Sequence, residues 1–336
     1  MAKPNFAVVG ASGMVGKMFV KILEERGTPL NNLFLFASSR SAGQTVDFRG
    51  KKIEIEELAP SVFESPAAGK KIDIALFAVE NDLSLKYAPI AAKSGCVVVD
   101  NSSAWRMDPD VPLVVPEVNG EDIKTHKGII ANPNCCAAPA VVALKPLHEA
   151  YGILRVVYST YQSVSGSGVN GWKDLEETLA GNPPQFYPYP IAGNVIPHID
   201  RFNAEGYTGE ETKLIAETKK MLHAPEIKAT ATTARVPVFT GHSLSINVSF
   251  NKPFELCDVR RLLQAAPGLK LMDEPGQNVY PTPLVAAGTD LVYAGRIRRD
   301  DSFDNSLNLW VVADNVRKGA ATNAVQIAEI VMGGRT

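Results

Sequence analysis

The chain has 336 residues, 45% hydrophobic and 21% charged, with a formal net charge of −2. A single core rarely organises more than roughly 250 to 300 residues, so two domains are expected in a globular protein of ordinary composition. The charge argues against phosphate-neutralising nucleic-acid binding. No apolar run approaches the roughly 18 residues that span a bilayer, and four cysteines, two of them adjacent, make no disulfide framework. Phe6-Ala7-Val8-Val9 is too short for the apolar part of a signal peptide, and a cytoplasmic protein with reduced thiols is expected.

The first stretch of the chain alternates short apolar runs with helical patterns. Phe6–Val9 is a predicted strand. Met14/Val15, Met18/Phe19 and Ile22/Leu23 then recur every four residues, as one face of a helix requires. Leu33–Ala37, Ile72–Ala78, Cys96–Val99 and Gly128–Ala131 are further strand candidates, with a helix near Leu83–Lys93. Continuous apolar runs between helices indicate a parallel sheet buried on both faces, a doubly wound Rossmann-like α/β domain over residues 1–131. After that the pattern changes. A helix is predicted over Pro139–Glu149 and strands over Arg155–Gln162, Ser243–Phe250 and Leu307–Val312. In Ser243–Phe250, Leu244, Ile246, Val248 and Phe250 alternate with Ser243, Ser245, Asn247 and Ser249, a period of two that suits an antiparallel sheet. Residues 132–314 therefore read as a second, α+β domain with a mixed, largely antiparallel sheet. Gly181–Pro197, rich in Pro and Tyr, reads as an ordered loop or arm. In the tail, Ala321, Val325, Ala328 and Met332 form a helical stripe, and the helix over 315–336 is expected to complete the first domain.

Three motifs carry chemistry. Gly10-Ala11-Ser12-Gly13-Met14-Val15-Gly16 follows a strand and opens a helix. Glycines there let backbone approach a pyrophosphate, and helix N–H groups bind its charge. After the second strand, an NAD site usually places an acid for the ribose 2′-hydroxyl. Ser38-Ser39-Arg40-Ser41 stands there instead, and a guanidinium suits the 2′-phosphate of NADP. The third motif, Asn132-Pro133-Asn134-Cys135-Cys136, lies between a strand and a helix with Pro139 in its first turn. A thiol at such a terminus can be activated. Moving it from about 8.5 to about 6 takes roughly 3.4 kcal/mol, whereas a helix terminus supplies about 0.3–1 kcal/mol. A second group, most naturally a histidine, must contribute the rest. Cys96 and Cys257 read as small hydrophobes.

Five histidines are candidates for that partner: His126, His148, His198, His223 and His242. His126 reads as solvated, His148 lies far along the helix, and His198 reads as structural. Arg235-Val236-Pro237 and Gly241-His242-Ser243 look like two sides of a hairpin mouth, which would bring Arg235 and His242 together. The residues alone do not decide the partner. Asn101–Ser103 and Arg106 follow a parallel strand, where ligands bind in such sheets. Glu210 and Lys213, three apart on a predicted helix, read by themselves as an ordinary salt-bridge pair.

Together, Gly10–Gly16, Ser38–Gly43, Asp100–Arg106, Asn132–Cys135, Arg235–His242 and Asn308–Asn315 resemble the bacterial aspartate-semialdehyde dehydrogenase family, in order, from about residue 5 to residue 330. The resemblance implies that Cys135 is the nucleophile of a thioacyl enzyme, Gln162 orients that intermediate and His242 is the acid/base. It implies that Arg235 and Glu210 hold the substrate's carboxylate and amino groups, that Arg106 and Lys213 hold its phosphate, and that Asn134 joins the substrate set. Ser165, Gly166, Gly168 and Asn315 would face the nicotinamide end of NADP. It further implies a homodimer formed through the second domain, and reduction of 4-phospho-L-aspartate to L-aspartate 4-semialdehyde with release of phosphate, toward lysine, methionine and threonine. No metal ligands are read. N-acetyl-γ-glutamyl-phosphate reductase is the nearest alternative, but its usual Asn-Pro-Gly-Cys followed by Tyr is missing; a non-catalytic binding module should have lost the nucleophile. Three positions depart from the family pattern: Cys136 where Ser or Thr is usual, Leu244 where an acid is common, and Ala78-Val79-Glu80-Asn81 in place of a Gly-rich strand end.

Overall fold

A computed structural model describes residues 3–67 and 70–333. The chain forms two compact units. One runs to Pro133 and resumes at Ala320; the other is Asn134–Gly319.

The first unit holds strands β1 (Phe6–Val9), β2 (Leu33–Ala37), β3 (Thr45–Phe48), β4 (Lys51–Glu57), β5 (Ile74–Phe77), β6 (Val97–Asp100) and β7 (Ile129–Ala131), in the order β3-β4-β2-β1-β5-β6-β7. All pairs are parallel except β3 with β4. Strand side chains alternate between two cores. Phe6, Val8, Ile74 and Leu76 enter one, with Phe19, Ile22 and Leu23 of the helix Met14–Glu25 and with Ala324, Val325 and Ala328 of the tail helix Thr322–Gly333. Ala7, Val9, Ala75 and Phe77 enter the other, with Tyr87, Ala88 and Ala91 of the helix Asn81–Lys93. A strand that is apolar at consecutive positions must be covered on both faces, and this sheet is. The β3–β4 hairpin escapes the sequence reading because most of its residues are charged or exposed. Its turn, Arg49-Gly50, has φ of 50° and 73°, the two positive values of a primed hairpin turn.

The second unit holds β8 (Ile153–Gln162), β9 (Lys228–Arg235), β10 (His242–Phe250), β11 (Leu269–Leu271), β12 (Val292–Asp300) and β13 (Ser306–Ala313), in the order β11-β12-β13-β10-β8-β9. Parallel pairs at each edge (β11 with β12, β8 with β9) flank antiparallel pairing, so the sheet is mixed. Leu244, Ile246, Val248 and Phe250 are buried, as the period-two pattern requires. On the polar face Asn247 bonds Asp300 at 2.6 Å and Asn308 at 3.0 Å, and the hydroxyls of Ser249 and Ser306 lie 2.7 Å apart. Residues 181–197 form an ordered arm. Buried Asp174, on the helix Gly168–Leu179, accepts the backbone N–H groups of Phe186 and Tyr187, and Ile191 and Ile196 pack with Val164 and Leu175.

One local expectation is overturned. Arg235 and His242 do not face each other across a hairpin, because β8 lies between β9 and β10. Residues 236–241 cross over that strand rather than turning beside it.

Candidate active site

The turn that carries Cys135 is fixed by its neighbour Asn134. The Asn134 carboxamide oxygen accepts the N–H groups of Cys136 at 2.8 Å and Ala137 at 3.3 Å, at the start of the helix Ala137–Tyr151. This is the side-chain satisfaction that orphan N–H groups at a helix start require. Two buried acids of the helix Gly209–Met221 hold Asn134 in turn. Glu217 accepts its backbone N–H at 2.6 Å, and Glu210 accepts its side-chain amide at 2.9 Å. Glu210 and Glu217 are seven residues apart, two helical turns, and so share a face. The Gln162 amide donates to the same Glu210 oxygen at 3.2 Å. A Cβ on Gly319 would come within 2.9 Å of the Cys135 carbonyl oxygen, so this close approach is made at a glycine.

The other groups come from strand ends. Gln162 of β8 is in register with Arg235 of β9, and Tyr161 with Ser243 of β10, so Arg235, Gln162 and His242 form a row across three strands. All three are buried. Ser163, the next residue, joins the row. Its carbonyl accepts from Arg235 Nη1 at 2.7 Å, its N–H donates to His242 Nδ1 at 3.1 Å, and its hydroxyl lies 3.1 Å from the same nitrogen. That hydroxyl donates to Asn315 Oδ1 at 3.0 Å, which also accepts from Ser165 and Gly241. A Cβ on Gly166 would fall 2.7 Å from Arg235 Nη1 and 3.1 Å from His242 Nε2. Glycine keeps that space open.

Cys135 Sγ, Cys136 Sγ and one ring nitrogen of His242 lie within 4.8 Å of one another. With Nδ1 taken by Ser163, the nitrogen left to face the sulfurs is Nε2, which is buried, bonds no oxygen or nitrogen, and interacts with the Cys135 thiol. The Cys135 thiol is held well below its ordinary range. The Cys136 thiol as hydrogen-bond donor contributes most, burial opposes it, and the charges of His242 and Arg235 add to the lowering. Cys136 moves the other way, pushed up by burial and by the neighbouring Cys135. The other histidines are occupied elsewhere. His126 and His148 each accept a nearby backbone N–H through Nδ1, His198 stacks on Phe202 at 4.4 Å, and His223 sits at a left-handed turn with φ 54°.

Lys213 lies one turn beyond Glu210 on the same helix but pairs with Asp200 at 2.6 Å. Arg106, in the first unit, is buried and donates to the Asn101 carbonyl at 2.8 Å. Beside it the Asp100 carboxyl is raised, because burial outweighs its bond to Ser102.

The glycine loop is built for close approach. Gly10 has φ 87°, and a Cβ there would sit 2.2 Å from the Ala78 carbonyl oxygen; one on Gly16 would sit 2.1 Å from the Gly10 carbonyl oxygen. Both clashes are with backbone, so glycine is required. Ala11 and Ser12 lead to Gly13 at the N-cap, and the helix from Met14 and Val15 has no side-chain cap and no acid in its first turn. Its N–H groups are the donors a phosphate needs. Ser38 stands at the start of the short turn Ser39–Ser41, where its backbone carbonyl accepts the Ser41 N–H at 2.9 Å, and Arg40 on that turn is exposed.

Residues 5–126 match the semialdehyde dehydrogenase NAD binding domain, and residues 144–318 the semialdehyde dehydrogenase dimerisation domain. The aspartate-semialdehyde dehydrogenase of Aquifex aeolicus is 50% identical over 97% of both chains. The chain belongs to the aspartate-semialdehyde dehydrogenase family. Among solved structures, aspartate semialdehyde dehydrogenase II of Vibrio cholerae complexed with ASA aligns with a TM-score of 0.92 at 43% identity, over 99% of both chains. The Candida albicans enzyme with NADP aligns at 0.77 and 28% identity, over 98% of this chain and 99% of that one. Three residues at the site had no assigned role in the sequence reading: Ser163, Glu217 and Gly319. Ser163 acts largely through its main chain and Gly319 through the lack of a side chain, so neither residue type signals its part. Glu217 could have been found by its heptad spacing from Glu210.

Proposed function

We propose that this enzyme reduces 4-phospho-L-aspartate to L-aspartate 4-semialdehyde with NADPH, releasing phosphate, in the synthesis of lysine, methionine and threonine. The observation that carries the reading is the convergence of Cys135, His242 and Arg235, with Glu210 and Gln162 held beside the Cys135 turn. Cys135 attacks the acyl carbon, a C–S bond forms and phosphate leaves. Gln162 orients the thioester. Arg235, a planar two-pronged donor, grips the α-carboxylate, and Glu210 takes the α-ammonium. The family resemblance assigns the phosphate to Arg106 and to Lys213, which here pairs with Asp200.

Bound NADPH supplies the hydride that reduces the thioester. The uncapped helix start and the glycines of residues 10–16 fit its pyrophosphate, and Ser38, Arg40 and Ser41 fit a 2′-phosphate where an acid would favour NAD. By the family resemblance, Ser165, Gly166, Gly168 and Asn315 would face its nicotinamide. The hemithioacetal on Cys135 then collapses and frees the aldehyde. His242 gives and takes the proton at Nε2. Nδ1 keeps its proton through this exchange and donates it to the Ser163 hydroxyl oxygen, 3.1 Å away.

A homodimer through the second unit is supported by its match to the dimerisation domain. A cytoplasmic setting is supported by the need for a reduced Cys135; among the described residues no helix is long and apolar enough to cross a membrane. The test is phosphate-dependent reduction of NADP with L-aspartate 4-semialdehyde. Equal or better activity on N-acetylglutamate semialdehyde would overturn the substrate assignment.

A further inference from the structure

Cys136 is fully buried beside the nucleophile, and the mechanism gives its sulfur no bond to make or break. Among the described residues, Cys135, Cys136 and His242 are the one cluster of three groups of metal-ligating type within reach of a common centre. Their ligand atoms lie within 4.8 Å of one another. Tetrahedral zinc, with bonds of about 2.3 Å to sulfur and about 2.0 Å to nitrogen, sets its ligands roughly 3.5–3.8 Å apart. The side chains need to close by up to about 1.3 Å, within reach of a rotation about χ1.

Two further observations point to a ligand. His242 Nε2 is a buried nitrogen that bonds no oxygen or nitrogen and is aimed at the Cys135 sulfur. Its other nitrogen is held by Ser163, which fixes the ring as the outer partner of a metal-binding histidine does. Two sulfurs and an imidazole select a soft or borderline cation over magnesium or calcium. Three protein ligands leave the fourth position open.

We propose that Cys135, Cys136 and His242 form a three-ligand site for a thiophilic divalent cation of the zinc class, which reversibly blocks the enzyme. Binding displaces the remaining S–H protons to solvent as two sulfur–metal bonds form; no electrons are transferred. The block on turnover rests on Cys135 being the nucleophile, but the binding does not, so the two can fail separately.

The experiment uses full-length protein stripped with a chelator, in a Cys257→Ser background that removes the exposed thiol. Zinc affinity is measured by competition with a chromophoric chelator, and thiolate ligation by the charge-transfer absorption of the cadmium adduct. One zinc per chain is expected. Cys136→Ser should weaken it at least tenfold and halve the cadmium absorption, and His242→Asn should weaken zinc while leaving that absorption in place. Stoichiometric zinc should protect Cys135 from iodoacetamide until EDTA is added. Cys136→Ala serves if the serine variant does not fold. Unchanged affinity and absorption without Cys136, or alkylation of Cys135 at its full rate with zinc bound, would overturn the site. Zinc binding as described in a protein without dehydrogenase activity would leave the site standing and remove the functional reading instead.

Discussion

The backbone N–H of Ser163 donates to His242 Nδ1 at 3.1 Å, which commits the opposite ring nitrogen, Nε2, to the side facing Cys135. One residue thereby sets both the orientation of the imidazole and, through its carbonyl, the position of the Arg235 guanidinium. The proposed acid–base and substrate-binding groups are aligned by main chain at the end of a strand, where rotamer freedom is least able to disturb them.

His242→Asn is predicted to cut kcat by roughly a hundredfold or more, with little change in KM, because a proton-transfer group acts mainly in the transition state. The variant also removes a positive charge that helps hold the Cys135 thiol low. The sign follows: the thiol's pKa rises, less thiolate exists at neutral pH, and alkylation by iodoacetamide slows there while recovering at high pH. Wild-type kcat and an unaltered alkylation profile would place the base elsewhere.

Arg235→Lys should show the opposite split. An ammonium cannot reproduce a two-pronged grip on a carboxylate, so KM for the semialdehyde should rise, with a smaller loss of kcat from misorientation. Steady-state kinetics separate the two variants; a pure kcat defect would refute a substrate-binding role for Arg235.

Gly166→Ala tests the geometry of the space between them. The added methyl would lie 2.7 Å from Arg235 Nη1 and 3.1 Å from His242 Nε2. Gly166 is not at a positive φ, so backbone strain does not confuse the result. Displacing catalytic groups by about 1 Å can cost on the order of a hundredfold. The expected outcome is at least a tenfold loss of kcat/KM with a near-normal melting temperature. Full activity would mean that Arg235 and His242 do not need that spacing.

Much of this site could be read before the structure, and the reason differs by part. The glycine loop and Asn132–Cys136 are contiguous, and their chemistry demands particular residue types, so a short stretch suffices. Strand order is not local. The residues on either side of 236–241 suggested a hairpin, and only the insertion of β8 between β9 and β10 shows how Gln162 comes to stand between Arg235 and His242. The β3–β4 hairpin was hidden because its charged, exposed side chains carry no apolar pattern. Asn134, expected from the family resemblance among substrate-binding residues, has a part the sequence did not disclose: it caps the Cys135 helix and bonds two buried glutamates.

Arg40→Ala addresses the cofactor. A charge-assisted hydrogen bond contributes about 1.5–3 kcal/mol, so NADP should bind roughly tenfold to a hundredfold more weakly while NAD binding changes little. Fluorescence titration with both nucleotides reads the difference, and equal losses would refute the phosphate-clamp assignment.

The thiol proposed to carry the acyl group is that of Cys135, not that of Cys136. Incubation with 4-phospho-L-aspartate in the absence of NADPH should leave an aspartyl thioester on the enzyme, located by acid quench, proteolysis and mass spectrometry. The mass increase is predicted on Cys135 in the wild type and in Cys136→Ser, where a hydroxyl can still donate to the thiolate. It should be absent in Cys135→Ala. An acyl group on Cys136, or one that survives in Cys135→Ala, would contradict the account.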